Sequence, residues 1–426
     1  MKGDAARAAG ALPGFCVTAP GGAGPNAWTP DLPLRTRLVI ATAEIKTSFW
    51  EANKMDELAR DGAIGAQTAP SPVCSHNEWD PLEEIVVGRL EGATIPSDHP
   101  VVSCNIPGFA ARAQAWAGGF RYPEFLVKPA QRELDGFVAL LESLGVTVRR
   151  PDAVDYRRRF GAPGWSSRGF CNSCPRDSLL VIGEEIIETP MAWPCRYFET
   201  HSYRGLIKEY FRKGARWTAA PKPQLLDDLY DGDFKIPEEG APIDYILTEF
   251  EPVFDAADFF RCGRDIFALR SNVTNAFGIE WLRRHLGEDY RIHEVPSRCR
   301  MPMHIDTTVL PLGPGRFLVN PDYVDVDALP PIMKKWEILI APEPDPIEDR
   351  LLKLASLCGK WLNMNILMLD ERRVVVDPHH KRTMQAMKDW GLEPIPCPFL
   401  HYAPFGGSFH CATLDVRRRG RLESYF

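Results

Sequence analysis

The chain has 426 residues, 45% of them hydrophobic and 25% charged, with a formal net charge of −7. That composition belongs to an ordinary globular protein built as one large domain or several smaller ones. The acidic balance excludes a general nucleic-acid binder, and no run of about 18 apolar residues is present to span a membrane.

Residues 1–70 are rich in Ala, Gly and Pro, with one short apolar run, Leu38-Val39-Ile40. They are expected to form a flexible leader. Arg35 and Arg37 are offset by Asp4 and Asp31, so the basic, acid-poor character of a transit peptide is only weakly present. The expected location is cytoplasmic, with organellar import as the alternative.

Residues 71–426 carry a repeated unit: an amphipathic helix, a Gly or charged junction, a short strand and a proline. It is read at 131–151, 201–221, 278–296, 328–342 and 381–396. The helical parts space apolar residues by three and four, as in Phe137, Leu140, Leu141 and Leu144. One further short strand accompanies each unit, at 83–88, 177–183, 265–271, 316–320 and 372–377. Alternating helices and strands predict an α/β fold, and five similar modules predict a closed ring that leaves few exposed strand edges. An open doubly wound sheet lacks support, because no Gly-rich nucleotide loop is present.

The polar blocks follow in chain order. Cys171 and Cys174 form a lone CxxC, read as two local thiols or, alternatively, as half of a zinc site. With eleven cysteines in no regular framework, reduced thiols are expected throughout. Pro175-Arg176-Asp177 opens a strand, where Arg176 could pair with Asp177 as a plain turn ion pair. Asp255 and Asp258 sit in a phenylalanine-rich segment and would be neighbours on a helical turn, as site acids or as helix-capping groups. Met303-His304-Ile305-Asp306 has strand alternation, which would put His304 and Asp306 on one face. Near the C-terminus, Gly406-Gly407-Ser408-Phe409-His410-Cys411 offers a thiol behind a Gly pair that permits close backbone approach. A cysteine, a histidine and several acids in apolar surroundings are the parts of a cysteine-nucleophile site, and the surplus of acids points to a cationic substrate. Arg417–Arg419 reads as surface or inter-module ion pairing.

From about Ser75 onward these blocks resemble the glycine amidinotransferase family. The likeness is carried by Asn77-Glu78-Trp79-Asp80-Pro81-Leu82-Glu83-Glu84, Pro175-Arg176-Asp177 and Pro190-Met191-Ala192-Trp193. It continues through residues 249–258, Met303-His304-Ile305-Asp306, Met364-Asn365-Ile366-Leu367-Met368-Leu369-Asp370 and Phe409-His410-Cys411 with residues 415–420. The resemblance implies a five-bladed α/β propeller of ββαβ modules, an amidino group moved from L-arginine to an amine, and ornithine as the released product. It implies that Cys411 is the nucleophile, His304 the acid–base group and Asp255 the acid that orients it. Asp177 and Asp306 would grip the guanidinium, with Met303 beside them. No cofactor or metal is implied, no nucleic-acid partner is expected, and a homodimer is.

Three positions depart from the family pattern. Tyr323 stands where the family has a carboxylate-anchoring arginine, Cys358-Gly359 where it has a Ser pair, and Met301 where it has Asn. All three belong to the shell that reads the substrate away from its guanidinium, so glycine and another primary amine both remain candidate acceptors. Hydrolysis of the same covalent intermediate and a non-catalytic cation-binding role are the competing readings.

Overall fold

The computed structural model describes residues 70–106 and 108–426, so the leader expected over residues 1–70 lies outside the described residues but for Pro70. Strand β1 (Leu82–Val87) is followed by the helix Glu124–Ser143 and by β2 (Thr147–Arg149), which pairs parallel to β1. A separate hairpin of β3 (Arg159–Ala162) and β4 (Trp165–Arg168) comes next.

Four similar sheets then follow. The first joins β5 (Leu179–Ile182), β6 (Glu185–Glu188) and β7 (Arg216–Ala219). The second joins β8 (Phe259–Cys262), β9 (Asp265–Ala268) and β10 (Arg291–Glu294). The third joins β11 (Val309–Gly313), β12 (Arg316–Val319) and β13 (Glu337–Ile340). The fourth joins β14 (Leu367–Met368), β15 (Arg373–Val376) and β16 (Glu393–Pro396). Finally β17 (Thr413–Arg418) returns to pair antiparallel with β1, so the first and last strands of the described residues lie in one sheet.

Each three-stranded sheet therefore has one plan: an antiparallel pair, then a crossover to a third strand parallel to the middle one. The α/β class expected from the sequence is observed, and every sheet is a separate open one. The sequence pattern expects one extra strand per unit, whereas the structure has an antiparallel pair. The strands it misses are β6, β8, β11, β14 and β17. Their residues are almost all buried, so no alternation of polar and apolar residues marks them. Their hairpins are also short. Ile182 pairs with Glu185 across Gly183, whose φ of 59° suits a tight hairpin turn.

The crossover helices are amphipathic for a packing reason. Arg204–Arg212 buries Ile207 and Tyr210, and Lys381–Asp389 buries Thr383 and Met387. The helix Ala276–Leu286 buries Ile279 and Leu282, and it starts where Asn275 Oδ1 accepts from Gly278 N at 2.8 Å. The helix Glu124–Ser143 starts earlier than the 131–151 reading and carries Pro129 inside it. The unit at 328–342 is corrected: it has 3-10 turns at Val326–Ala328 and Met333–Lys335 and no α-helix. Pro330 and Pro331 lie between these turns and lack the N–H groups a helix needs.

Adjacent sheets share their cores. Val86, Leu179 and Leu414 pack in one cluster, Leu180 and Ile266 in a second, Phe267 and Phe317 in a third, and Leu318 and Val374 in a fourth. A fifth joins Ile85 of β1 to Leu367 and Val375 of the last full module, together with Phe137 and Phe399. No helix among the described residues is long and apolar enough to cross a membrane.

Candidate active site

One rule of construction places the polar groups. In each module the turn just before the first strand of the antiparallel pair carries one or two of them. Asp177 lies in the helical turn Pro175–Ser178 before β5, and Asp255 and Asp258 lie at the 3-10 turn before β8. His304 and Asp306 precede β11, Asn365 precedes β14, and Cys411 precedes β17. Asp177, His304, Asp306, Asn365 and Cys411 all line one cavity. Asp255 stands behind His304, with His304 Nε2 at 3.1 Å from Asp255 Oδ2.

The thiol is held by two neighbours. Asn365 Nδ2 donates to Cys411 Sγ at 3.0 Å, and the thiol donates to Asp306 Oδ2 at 3.2 Å. Asn365 Oδ1 accepts from the backbone N–H groups of Ser408 and Cys411, each at 3.1 Å, so this one amide fixes the loop and the sulfur together. Gly407 is required there, because a Cβ on it would lie 2.4 Å from Cys411 Cβ and 3.0 Å from Cys411 Sγ. One carboxylate oxygen of Asp177, a ring nitrogen of His304 and Cys411 Sγ lie within 4.8 Å of one another.

Each of the two cavity-lining acids has one oxygen clamped and one free. Asp177 Oδ2 takes Arg196 Nη1 at 2.7 Å, while Asp177 Oδ1 has no hydrogen-bond partner. Asp306 Oδ2 takes Asn365 Nδ2 at 2.7 Å and His410 Nδ1 at 2.9 Å, while Asp306 Oδ1 is unpartnered. Buried carboxylate oxygens without partners are costly. A planar guanidinium presents N–H donors that fit a pair of such acceptors.

The electrostatics follow from burial and the excess of acids. Burial opposes a charge on His304, but Asp177, Asp255 and Asp258 outweigh it and raise the imidazolium to about 10. The Cys411 thiol is pushed well above its usual range, first by burial and then by Asp306 and Asp177. Burial raises Asp306, yet the hydrogen bond and charge of His410 and the charge of His304 leave it below its usual range. Burial lifts Asp258 and Glu199 to about 7 each, and it raises Asp255. His304 itself sits at φ 66°, ψ 133°, a conformation costing a non-glycine residue about 1–3 kcal/mol.

Several sequence readings are corrected here. Met303-His304-Ile305-Asp306 is not a strand: the positive φ of His304 turns the chain into a 3-10 turn, Ile305–Thr307. Both side chains still reach the cavity. Arg176 does not pair with Asp177. It bonds Asp415 at 2.7 Å and Glu78 at 3.3 Å, leaving Asp177 to Arg196. Asp255 occupies a helix N-cap position without a side-chain capping bond, and Asp258 accepts from Ser271 and Thr274 at 2.6 Å each. Cys171 lies 2.8 Å from Ser173 Oγ, and Cys174 lines the cavity. Arg417 and Arg419 both bond Glu83, and Arg418 bonds Asp415.

The outer wall is of another kind. Met301, Met303, Tyr323, Leu357, Cys358 and Gly359 line it, and Arg196 is the sole Arg or Lys on the cavity among the described residues. That arginine is already engaged by Asp177 and by Glu199 at 2.8 Å. The nearby Lys360 is tied to Asp322 at 2.7 Å and Glu343 at 3.3 Å. Sequence reasoning gave no role to Asn365, Arg196 or His410. The repeated placement of a polar residue before a buried strand was the signal that would have found Asn365.

No protein-family model matches the chain. The L-arginine:L-lysine amidinotransferase of Pseudomonas savastanoi pv. phaseolicola is 50% identical over 355 residues, 83% of this chain and 97% of its own length. The mitochondrial glycine amidinotransferase of Gallus gallus is 45% identical over 380 residues, 86% of this chain and 88% of its own. A solved amidinotransferase of the saxitoxin biosynthetic pathway from Microseira wollei superposes with a TM-score of 0.80 at 53% identity, covering 83% of this chain and 100% of that one. The chain belongs to the amidinotransferase family.

Proposed function

We propose that the protein moves the amidino group of L-arginine to a primary amine by way of a covalent amidino-cysteine at Cys411. The observation that carries this reading is the meeting of Asp177, His304 and Cys411 within 4.8 Å, beside the free oxygens of Asp177 and Asp306. We also infer that the five modules stand around one axis as a propeller. The shared cores, including the one between the last full module and β1, support this, and so does the convergence of one turn from each module.

The guanidinium enters as a cation and takes the free oxygens of Asp177 and Asp306. Its positive charge offsets the two carboxylates that hold the Cys411 proton in place, so the thiol proton is released to solvent as arginine binds. The thiolate attacks the guanidinium carbon and forms a neutral tetrahedral adduct. The His304 imidazolium then gives its proton to the δ-nitrogen of arginine. The C–N bond breaks, ornithine leaves, and a cationic amidino group remains on sulfur. Neutral His304 next removes a proton from the attacking acceptor amine. The C–S bond breaks, and the product guanidine departs with its charge. Asp255 holds the ring in place on Nε2 throughout, a triad relation without proton transfer to the acid.

The acceptor is a primary amine whose body is apolar and carries no carboxylate close to the amine. The wall at Met301, Tyr323, Cys358 and Gly359 offers no free cation, so a carboxylate one carbon from the reacting amine, as in glycine, would be held against it and forfeit about 2–5 kcal/mol, whereas the carboxylate of arginine lies three carbons further out. The relatives named above act on lysine or glycine or serve a saxitoxin pathway, and that range supports a site whose acceptor end varies.

Product analysis tests the reading. Arginine with an apolar amine gives ornithine and a new guanidine, with parallel-line ping-pong kinetics. Citrulline or urea in place of ornithine would mean hydrolysis. Efficient guanidinoacetate formation from glycine would overturn the acceptor class alone.

A further inference from the structure

We propose that the same constellation is a binding site for a thiophilic divalent cation of the zinc type, and that such a cation excludes the guanidine substrate. The metal has no role in the transfer reaction. Three atoms of the right kinds converge: a sulfur of Cys411, a ring nitrogen of His304 and a carboxylate oxygen of Asp177, all within 4.8 Å of one another. Ligand atoms in a tetrahedral zinc site lie about 3.3–3.8 Å apart, given bonds of about 2.0–2.3 Å. The three groups need only small side-chain movements to reach that spacing.

The second observation is independent of the spacing. Asp177 Oδ1 is unpartnered in a residue only 1% exposed, and it faces His304 Nδ1 at 3.8 Å. The other ring nitrogen, Nε2, is bonded to Asp255 at 3.1 Å. A ring with a carboxylate on one nitrogen and its other nitrogen turned to a cavity is the arrangement that orients histidine ligands on zinc. Acids are also in excess: Asp177, Asp255, Asp258, Asp306 and Glu199 are all buried, and the guanidinium of Arg196 pairs with only three of them, Asp177, Glu199 and Asp255. A fourth coordination position opens into the cavity and would be filled by water. Binding forms a sulfur–metal bond, releases the thiol proton and any proton on the coordinating ring nitrogen to solvent, and oxidises nothing.

The guanidinium and the cation use the same sulfur and the same Asp177 oxygen, so they cannot be bound together. The exclusion, though not the metal binding, rests on the amidino-transfer reading. Buffered free zinc therefore sets the fraction of enzyme open to arginine.

The test uses Co2+ as an optical stand-in, titrated into the metal-free full-length protein under reducing conditions without substrate. One equivalent is expected to raise a sulfur-to-cobalt charge-transfer band in the near ultraviolet. Cys411→Ser should abolish the band. Cys358→Ser and the double variant Cys171→Ser/Cys174→Ser should keep it, and Asp255→Asn should weaken binding about 10- to 100-fold. No band, a band that survives in Cys411→Ser, or a band lost only in the Cys171/Cys174 double variant overturns the proposal. Arginine is expected to bleach the band, and Zn2+ to block ornithine release until a chelator is added. If the band forms but arginine leaves it unchanged, the exclusion is overturned. Because the band is read without turnover, its absence leaves the amidino-carrier role of Cys411 intact.

Discussion

Two buried ionic networks meet at His410, and their charges are matched in opposite ways. Behind the loop that carries Cys411, Arg176, Arg261 and Arg418 surround Glu78 and Asp415. Asp415 takes all three arginines at 2.7–3.1 Å, and Glu78 takes Arg261 at 2.8 Å. No side-chain nitrogen or oxygen of these five residues lacks a partner. The arginines overcome burial and hold both acids below their usual range. In front of the loop, three acids, Asp177, Glu199 and Asp255, share Arg196, and Asp258 and Asp306 have no arginine at all among their bonds. Asp177, Asp255, Asp258 and Asp306 each keep one unpartnered oxygen, as does Glu199. Burial there wins at Asp255, Asp258 and Glu199 and raises them. The matched network ties modules together, whereas the unmatched one leaves buried carboxylate oxygens unpaired, which the proposed binding of a guanidinium requires. Burial alone would not separate the two, because both are almost wholly enclosed.

The most severe way to break this contrast is to strand the matched network. Asp415→Ala leaves three buried arginines short of a partner and should cost about 3–5 kcal/mol of stability, read as a lower denaturant midpoint. A loss under about 1 kcal/mol would mean that the network is not structural. Next comes the unmatched side. Asp306→Asn should keep its bonds from Asn365 and His410 and so leave stability within about 1 kcal/mol. It should lower kcat/KM for arginine by about 2–5 kcal/mol, at least about thirtyfold. An equal loss in both measurements would erase the distinction.

The networks should also answer to pH with opposite signs. Glu78 and Asp415 have lowered values, so their stabilisation is present above the ordinary carboxylate range and is lost on acidification. Glu199 and Asp258 are raised to about 7 and His304 to about 10. The folded state then holds more protons than the unfolded one, and stability declines as pH rises from about 4 toward 7 for the acids and from about 6.5 toward 10 for the histidine. Glu199→Gln should flatten the decline between pH about 4.5 and 7 in a thermal-melt series. An unchanged slope would remove Glu199 from the unmatched set. The smallest effect is expected at the wall. A Cβ on Gly359 would lie 3.7 Å from Tyr323 Oη, an ordinary contact. Gly359→Ala should therefore shift the KM for the acceptor amine less than about tenfold and leave arginine charging unchanged. Loss of charging would place Gly359 in the guanidine site.

Much of this was legible in the sequence because it is local. The helices of four modules announce themselves by apolar spacing, and Cys411, His304, Asp255, Asp177 and Asp306 stand out as polar residues in apolar runs. The buried strands β6, β8, β11, β14 and β17 gave no alternation to read. The partner of Asp177 was also hidden. Arg176 is its neighbour in sequence, yet the chain sends Arg176 to Asp415 and brings Arg196 to Asp177. Ion-pair partners are a property of tertiary packing, and so is the role of Asn365, whose amide grips a loop more than forty residues later.

The most direct measurement is intact-protein mass spectrometry of the enzyme mixed with arginine and no acceptor, with Cys411→Ala as control. A gain of one amidino group, accompanied by ornithine and absent from the variant, is the expected result. Ornithine release without any adduct, or an adduct that persists in Cys411→Ala, would contradict a covalent transfer through this cysteine.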